Sequence, residues 1–288
     1  MSINSIIFKK MCERSDSIRD AGLTTPPEIE RFDDIQYGND PTWQVLDIYR
    51  PKAAKGKLPV IVSFHGGGWI YGDKKVYQFY CMDLAKRGFA VVNYSYHLAP
   101  KYRFPTPFED TNKVFEWLMK NAEEYGFDTE NIFGVGDSAG AMGIALYSCI
   151  LTDSNYAKNY SFAPPTELKI KGLGLNCGLY STTDPDLVGG IKDFIPKGSA
   201  PDALKLLNVT DKINNSFPPC YILTGNEDFL RGEPAALIKA LENAGVKYEY
   251  KLYGDESNPL GHVFHCNIKS DAAKQANDDE CSFFKALI

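Results

Sequence analysis

The chain has no run of 18 apolar residues, no C-x-x-C pair, no internal repeat and no excess of basic charge. Each absence removes a class of function. Without a long apolar run there is no candidate membrane-spanning helix. The one apolar cluster near the start, Ile6, Ile7 and Phe8, meets Lys9 and Lys10 at once and is too short for a secretory core, so a cytoplasmic address is expected. The seven cysteines, Cys12, Cys81, Cys149, Cys177, Cys220, Cys266 and Cys281, are scattered without zinc-ligand or redox spacing. They read as reduced, mostly buried thiols, and neither a metal nor a cofactor is expected. Lys plus Arg number 31 against 37 Asp plus Glu, a formal charge of -6 that argues against nucleic acid as a partner and gives no reason to expect adsorption at an anionic membrane. The histidines are few as well, four in 288 residues, which keeps the search for a catalytic base short.

What is present is ordinary globular composition, 44% hydrophobic with 24% charged residues, enough for a sizeable core. Strand-like runs at 43–50, 59–64, 89–94, 132–136, 170–177, 219–224 and 248–253 alternate with helical candidates near 76–87, 108–125, 138–151, 232–244 and 270–287. Several strands are continuously apolar, which fits a largely parallel sheet covered by helices on both faces. Residues 1–30 and roughly 182–217 fit this series poorly and read as segments covering a site.

The sharpest motif is Gly136-Asp137-Ser138-Ala139-Gly140, directly after a strand candidate and opening a helical run. That is the setting of a nucleophile elbow, in which glycines two before and two after the serine clear space for a strained turn. Ser138 is the candidate nucleophile. The second motif, His65-Gly66-Gly67-Gly68-Trp69, also follows a strand, and its consecutive glycines let backbone N–H groups converge on one point. Gly67 and Gly68, with the N–H of Ala139, are the candidate oxyanion hole, and His65 reads as structural.

A serine needs a base, and the choice lies among His65, His97, His262 and His265. His262 lies between the last strand and the last helix, where a loop can return over the sheet edge, and is the best base. His265 reads as a helix-flank or surface residue. The orienting acid should follow another strand, and Asp228 in Thr224-Gly225-Asn226-Glu227-Asp228 is the candidate, with Glu227 and Asp255 as alternatives. The order Ser138, Asp228, His262 is that of α/β-hydrolases and differs from the other serine-triad folds.

These residues resemble the hormone-sensitive-lipase-like family of α/β-hydrolase esterases, particularly its bacterial short-chain esterases and acetyl esterases. The blocks HGGGWIYGD (65–73), NYSYHLAPKYRFPTPFED (93–110), VGDSAG (135–140), TGNEDFLRGE (224–233) and GHVFHCN (261–267) carry the resemblance. It implies an α/β-hydrolase fold with a small helical cap drawn from 1–30 and about 182–217, Asp228 as the acid and His262 as the base. The chain departs from the family's usual pattern at His97, Ala141 and Val263, which stand where Arg, Gly and Gly are common. A looser resemblance, through Q-x-L-D-I-Y-x-P at 44–51, is to esterases of acetylated or feruloylated plant-wall carbohydrate.

The expected activity is therefore serine-esterase hydrolysis of a small-molecule ester, with no cofactor. Trp69 and Tyr71 follow the glycines and are candidate substrate-binding residues; with Ile191, Phe194 and Ile195 from the covering segment they should shorten the pocket to acetyl through butyryl chains. Two other classes compete: a non-catalytic small-molecule receptor of the same fold, against which His262 counts, and a triad peptidase or acyltransferase, for which no terminus-binding charge is evident. The motifs do not specify an oligomeric state.

Overall fold

Runs such as Val60-Ile61-Val62 and Val91-Val92 carry β-branched residues at successive positions, so they are at home only where both faces of a strand are covered. In the computed structural model, which describes residues 1–184 and 189–288, they form the middle of an eight-stranded sheet. Its strands are β1 (Ile29–Gln36), β2 (Val45–Pro51), β3 (Leu58–Phe64), β4 (Ala90–Tyr94), β5 (Phe127–Asp137), β6 (Ile170–Asn176), β7 (Cys220–Gly225) and β8 (Tyr248–Tyr253). The spatial order is β1-β2-β4-β3-β5-β6-β7-β8. β1 and β2 pair antiparallel with each other, and β2 with β4, while every later pairing is parallel. The largely parallel sheet expected from the sequence is present, and its seven expected strands match β2 to β8 within a few residues.

Helices α1 (Ile3–Asp20), α2 (Lys74–Ala85), α3 (Thr106–Lys120), α4 (Ala122–Tyr125), α5 (Ala139–Thr152), α6 (Ser154–Ala157), α7 (Ala200–Leu207), α8 (Glu233–Ala244) and α9 (Asp271–Lys285) accompany the sheet, with short 3₁₀ turns at Val209–Asp211 and Phe264–Cys266. Two apolar clusters fill the two sides of the sheet. One gathers Val60, Val62, Phe64, Ile144 and Leu146; the other gathers Ile61, Val91, Phe133, Leu223 and Phe284. Helix α5 is buried along nearly its whole length, so the turn that starts it rests on rigid core.

The two segments that fitted the β-α series poorly contain order of their own. Residues 3–20 are a helix, and β1 follows at 29–36. The second segment holds α7, while Pro185, within it, lies outside the described residues. The segments meet where Ser2 N donates to Asp193 Oδ2 at 2.7 Å, and the second is tied to the 93–110 block by Arg103, which donates to the carbonyl of Ile195 at 2.7 Å. No helix among the described residues is long and apolar enough to cross a membrane.

Candidate active site

Parallel strands all end on one edge of the sheet, and residues just past those ends converge there. Ser138 leaves β5 at φ 53 and ψ −118, a left-handed backbone that a serine adopts only where its surroundings enforce it, and α5 begins at the next residue. A side chain on Gly140 would strike the carbonyl of Phe64, so the helix approaches β3 closely only because that position is bare. Ser138 N donates to the Asn176 carbonyl at 2.9 Å, which pins the turn to β6.

The glycine turn after β3 lies beside this elbow. Gly67 sits at φ 108, and its carbonyl accepts from the N–H groups of Ile70 and Tyr71 at 3.1 and 3.0 Å. Among the described residues nothing accepts a hydrogen bond from the backbone N–H of Gly67 or Gly68, and Ala139 holds the first position of α5, where the N–H has no partner within the helix. Asp137 joins the two motifs. It accepts from Tyr77 Oη at 2.8 Å and from Gly66 N at 3.2 Å, and its burial raises the carboxyl to about 6 despite those donors. Nothing in the G-x-S-x-G pattern marks that residue, because the pattern leaves it free.

His262 Nδ1 lies 2.8 Å from Asp228 Oδ1. Burial alone would raise the Asp228 carboxyl, but the bond from His262, its charge and the Leu230 N–H at 2.8 Å outweigh it, so the group titrates below its ordinary value. Thr224 Oγ1 holds the other oxygen at 3.1 Å. The alternatives face elsewhere. Glu227 is exposed and pairs only distantly with Arg231, and Asp255 caps its own turn through Ser257 and Asn258. Ser138 and His262 are not hydrogen-bonded to each other in this structure, a contact that commonly tightens only when substrate binds. The exposed Phe229 ring sits 4.3 Å from the His262 ring, centre to centre.

His65 is buried, with Nδ1 2.8 Å from the Gly66 carbonyl and its ring stacked on Tyr96; burial drops it to about 4. His97 lies between Asp110 at 2.7 Å and Asp40 at 3.3 Å, a buried pairing that ties the 93–110 block together. His265 overturns its reading as a flank or surface residue. It is fully buried in a short 3₁₀ turn, Phe264–Cys266, and burial drops it to about 3. Trp69, read as a substrate contact, is fully buried and stacks on Phe194 with ring centres 4.3 Å apart, so it acts as packing behind the glycine turn. Tyr71 lines a cavity of about 390 Å³ with Trp43, Lys74 and Leu98, and its hydroxyl donates to Asp16 at 2.7 Å. Phe8 of α1 reaches over Gly68.

Sequence reasoning passed over Phe229 and Cys177. Phe229 carries no signal beyond following the acid. Cys177 had one: it stands directly past the end of β6, on the same sheet edge as the other site residues.

The chain's residues 61–265 match the model of a family described as having the alpha/beta hydrolase fold. It is similar to the versiconal hemiacetal acetate esterase of Dothistroma septosporum, 29% identical over 72% of this chain and 67% of that one. It is also similar to the carboxylesterase NlhH of Mycobacterium tuberculosis, 28% identical over 92% of this chain and 86% of that one. Among solved structures, esterase B of Lactobacillus rhamnosis inhibited with a tributyrin phosphonate superposes with a TM-score of 0.89 at 25% identity, covering 99% of this chain and 94% of that one.

Proposed function

Because the chain belongs to the alpha/beta hydrolase fold family, and its relatives are carboxylic ester hydrolases, we propose that it is a serine carboxylesterase acting on short-chain esters with Ser138 as nucleophile, His262 as base and Asp228 as orienting acid. The observation that carries the assignment is the 2.8 Å pairing of His262 Nδ1 with a buried carboxylate on the same sheet edge as a serine held in a left-handed turn. With Nδ1 committed to Asp228, Nε2 is the nitrogen left to take the Ser138 proton.

Ser138 Oγ attacks the ester carbonyl as its proton passes to His262. The carbonyl oxygen becomes an alkoxide that accepts from the N–H groups of Gly67, Gly68 and Ala139, whose positions are fixed before substrate arrives. The imidazolium, held by Asp228, gives its proton to the leaving alcohol. Water then repeats the attack on the acyl-enzyme, and the acid and Ser138 are released.

The preference for acetyl to butyryl chains has two supports. Trp69, Phe194 and Phe108 fill the volume behind the glycine turn with stacked or tilted rings, leaving little room for a long chain there. One relative is named for an acetate ester, and a solved neighbour was inhibited by a tributyrin phosphonate. On the same reading α1 and the segment carrying Phe194 and α7 form the cap, since they meet at Ser2 and Asp193.

The test is kcat/KM on p-nitrophenyl esters from acetyl to decanoyl, with mass spectrometry of the protein after an alkyl phosphonate. A maximum at or below butyryl and an adduct on Ser138 are expected. A steady rise to decanoyl overturns the chain-length reading, and an adduct elsewhere overturns the nucleophile.

A further inference from the structure

Cys177, Asp228 and His262 each offer a ligand atom, and the three atoms lie within 4.8 Å of one another. They come from the connections that follow three separate strands, β6, β7 and β8, so no sequence spacing announces them. The cysteine's presence is the unexpected part. Cys177 has φ 47, a left-handed conformation that favours glycine, and Gly178 follows it; yet a thiol is carried there, fully buried and turned toward the Asp228 carboxylate. Asp228 is itself fixed by Thr224 and the Leu230 N–H, the kind of support that orients a metal-binding carboxylate.

We propose that these three side chains form an inhibitory site for a thiophilic divalent cation, of the zinc or cadmium class, that closes on the enzyme's base. Thiolate, imidazole and carboxylate are a donor set that such ions favour. Ligand distances near 2.0–2.3 Å put tetrahedral ligand atoms roughly 3.5 Å apart. His262 Nδ1 and Asp228 Oδ1, 2.8 Å apart, must therefore open by roughly 0.7 Å to admit the ion, while Cys177 Sγ, within 4.8 Å of both, adjusts to it by rotamer movement. Entry is from the His262 side, whose side chain is 22% exposed, whereas Cys177 and Asp228 are covered. Water from that side completes the fourth position.

The proton balance makes the ion an inhibitor. Cys177 loses its thiol proton to solvent as the metal–sulfur bond forms. His262 binds through Nδ1, the nitrogen that already faces Asp228, so the proton on Nδ1 moves to Nε2. A protonated Nε2 has no lone pair for the Ser138 proton, and the ring is no longer held by the carboxylate alone. The site gains one net positive charge, which the Asp228 carboxylate faces directly.

That consequence for activity rests on the esterase reading, but binding does not, and the experiment separates them. Purified full-length protein is titrated with cadmium chloride, following the ultraviolet thiolate-to-cadmium charge-transfer band and, in parallel, p-nitrophenyl acetate hydrolysis. One equivalent should produce the band and abolish turnover, and EDTA should reverse both. Ser138→Ala should show the same band, so a band without any esterase activity in the wild type would sink the catalytic reading and leave the metal site standing. Cys177→Ser should lose the band and raise the inhibitory concentration by about ten-fold or more. His262→Ala, at a partly exposed position, should weaken cadmium binding similarly and covers the case in which the Cys177 variant does not fold. Among the described residues Cys12 is the one cysteine that is not buried, and so the competing thiol for added cadmium. A band that vanishes in Cys12→Ser, or inhibition unchanged in Cys177→Ser, overturns the proposal.

Discussion

His262 and His265 leave the same short loop and end in opposite surroundings. His262 reaches the sheet edge, pairs with a carboxylate and keeps one side open to solvent. His265 turns under the sheet into a closed polar cluster with Tyr80, Asn277 and Glu280, where its Nδ1 and Glu280 Oε1 have no hydrogen-bond partner among the described residues. At the edge, burial of Asp228 is offset by a partner that favours its charge. Under the sheet, burial dominates: it pushes Glu280 up to about 7 against the hydrogen bonds from Asn176 and Tyr80, and His265 down to about 3, so the histidine is held neutral and the carboxyl keeps its proton up to near-neutral pH. The difference teaches that a histidine's role is set by what faces it, and that three residues of chain suffice to exchange a catalytic setting for a structural one.

The comparison breaks first on activity. Ser138→Ala and His262→Ala should each lower kcat by on the order of 10⁶, as expected where nucleophile and base act as one unit. Asp228→Asn should cost roughly 10⁴ by leaving the imidazole in the wrong tautomer. By contrast, His265→Ala should change kcat by less than about ten-fold while lowering stability by about 2 kcal/mol through the cavity it opens, read by urea melts. If His265→Ala crippled turnover and His262→Ala spared it, the two surroundings would have been assigned the wrong way round.

A subtler test titrates the cluster. Glu280 has a folded-state pKa raised above its unfolded value of 4.5, so its contribution is fully present below pH 4.5 and is lost as pH rises toward about 7. The loss is on the order of 3 kcal/mol. Glu280→Gln should therefore gain on the wild type between pH 5 and pH 8 in thermal melts, with little difference at pH 5. His265 has the opposite sign: its folded pKa is lowered, so stability is lost as pH falls from about 6.5 toward 3. A Glu280→Gln advantage that is largest in acid would show that the carboxyl is ionised in the native protein.

The catalytic edge was legible in the sequence because strained turns and converging N–H groups need glycines at fixed offsets, and those offsets survive as HGGGW and GDSAG. Helix α1 was not, because its pattern is inverted. Ile3, Ile7, Met11 and Ile18 face outward, while Ser5 is buried and Arg19 lies against the fold with its guanidinium donating to the Val76 carbonyl. Strand β1 was missed for a related reason: as an edge strand with Glu30, Arg31, Asp33 and Asp34 it has no buried face to advertise. Asp137 and Cys177 escaped because their significance lies in contacts made by distant parts of the chain.

Val263, directly after the base, sits at φ 52 and ψ 32, a conformation that a β-branched side chain adopts at a cost of about 1–2 kcal/mol. The loop is thus kept under tension where glycine would leave it slack. On warming, slack converts into motion, and a loosened loop spends less of its time with the imidazole aligned. An Arrhenius plot of kcat for Val263→Gly should accordingly bend downward at a lower temperature than that of the wild type, even if the relieved strain leaves the melting temperature unchanged or slightly raised.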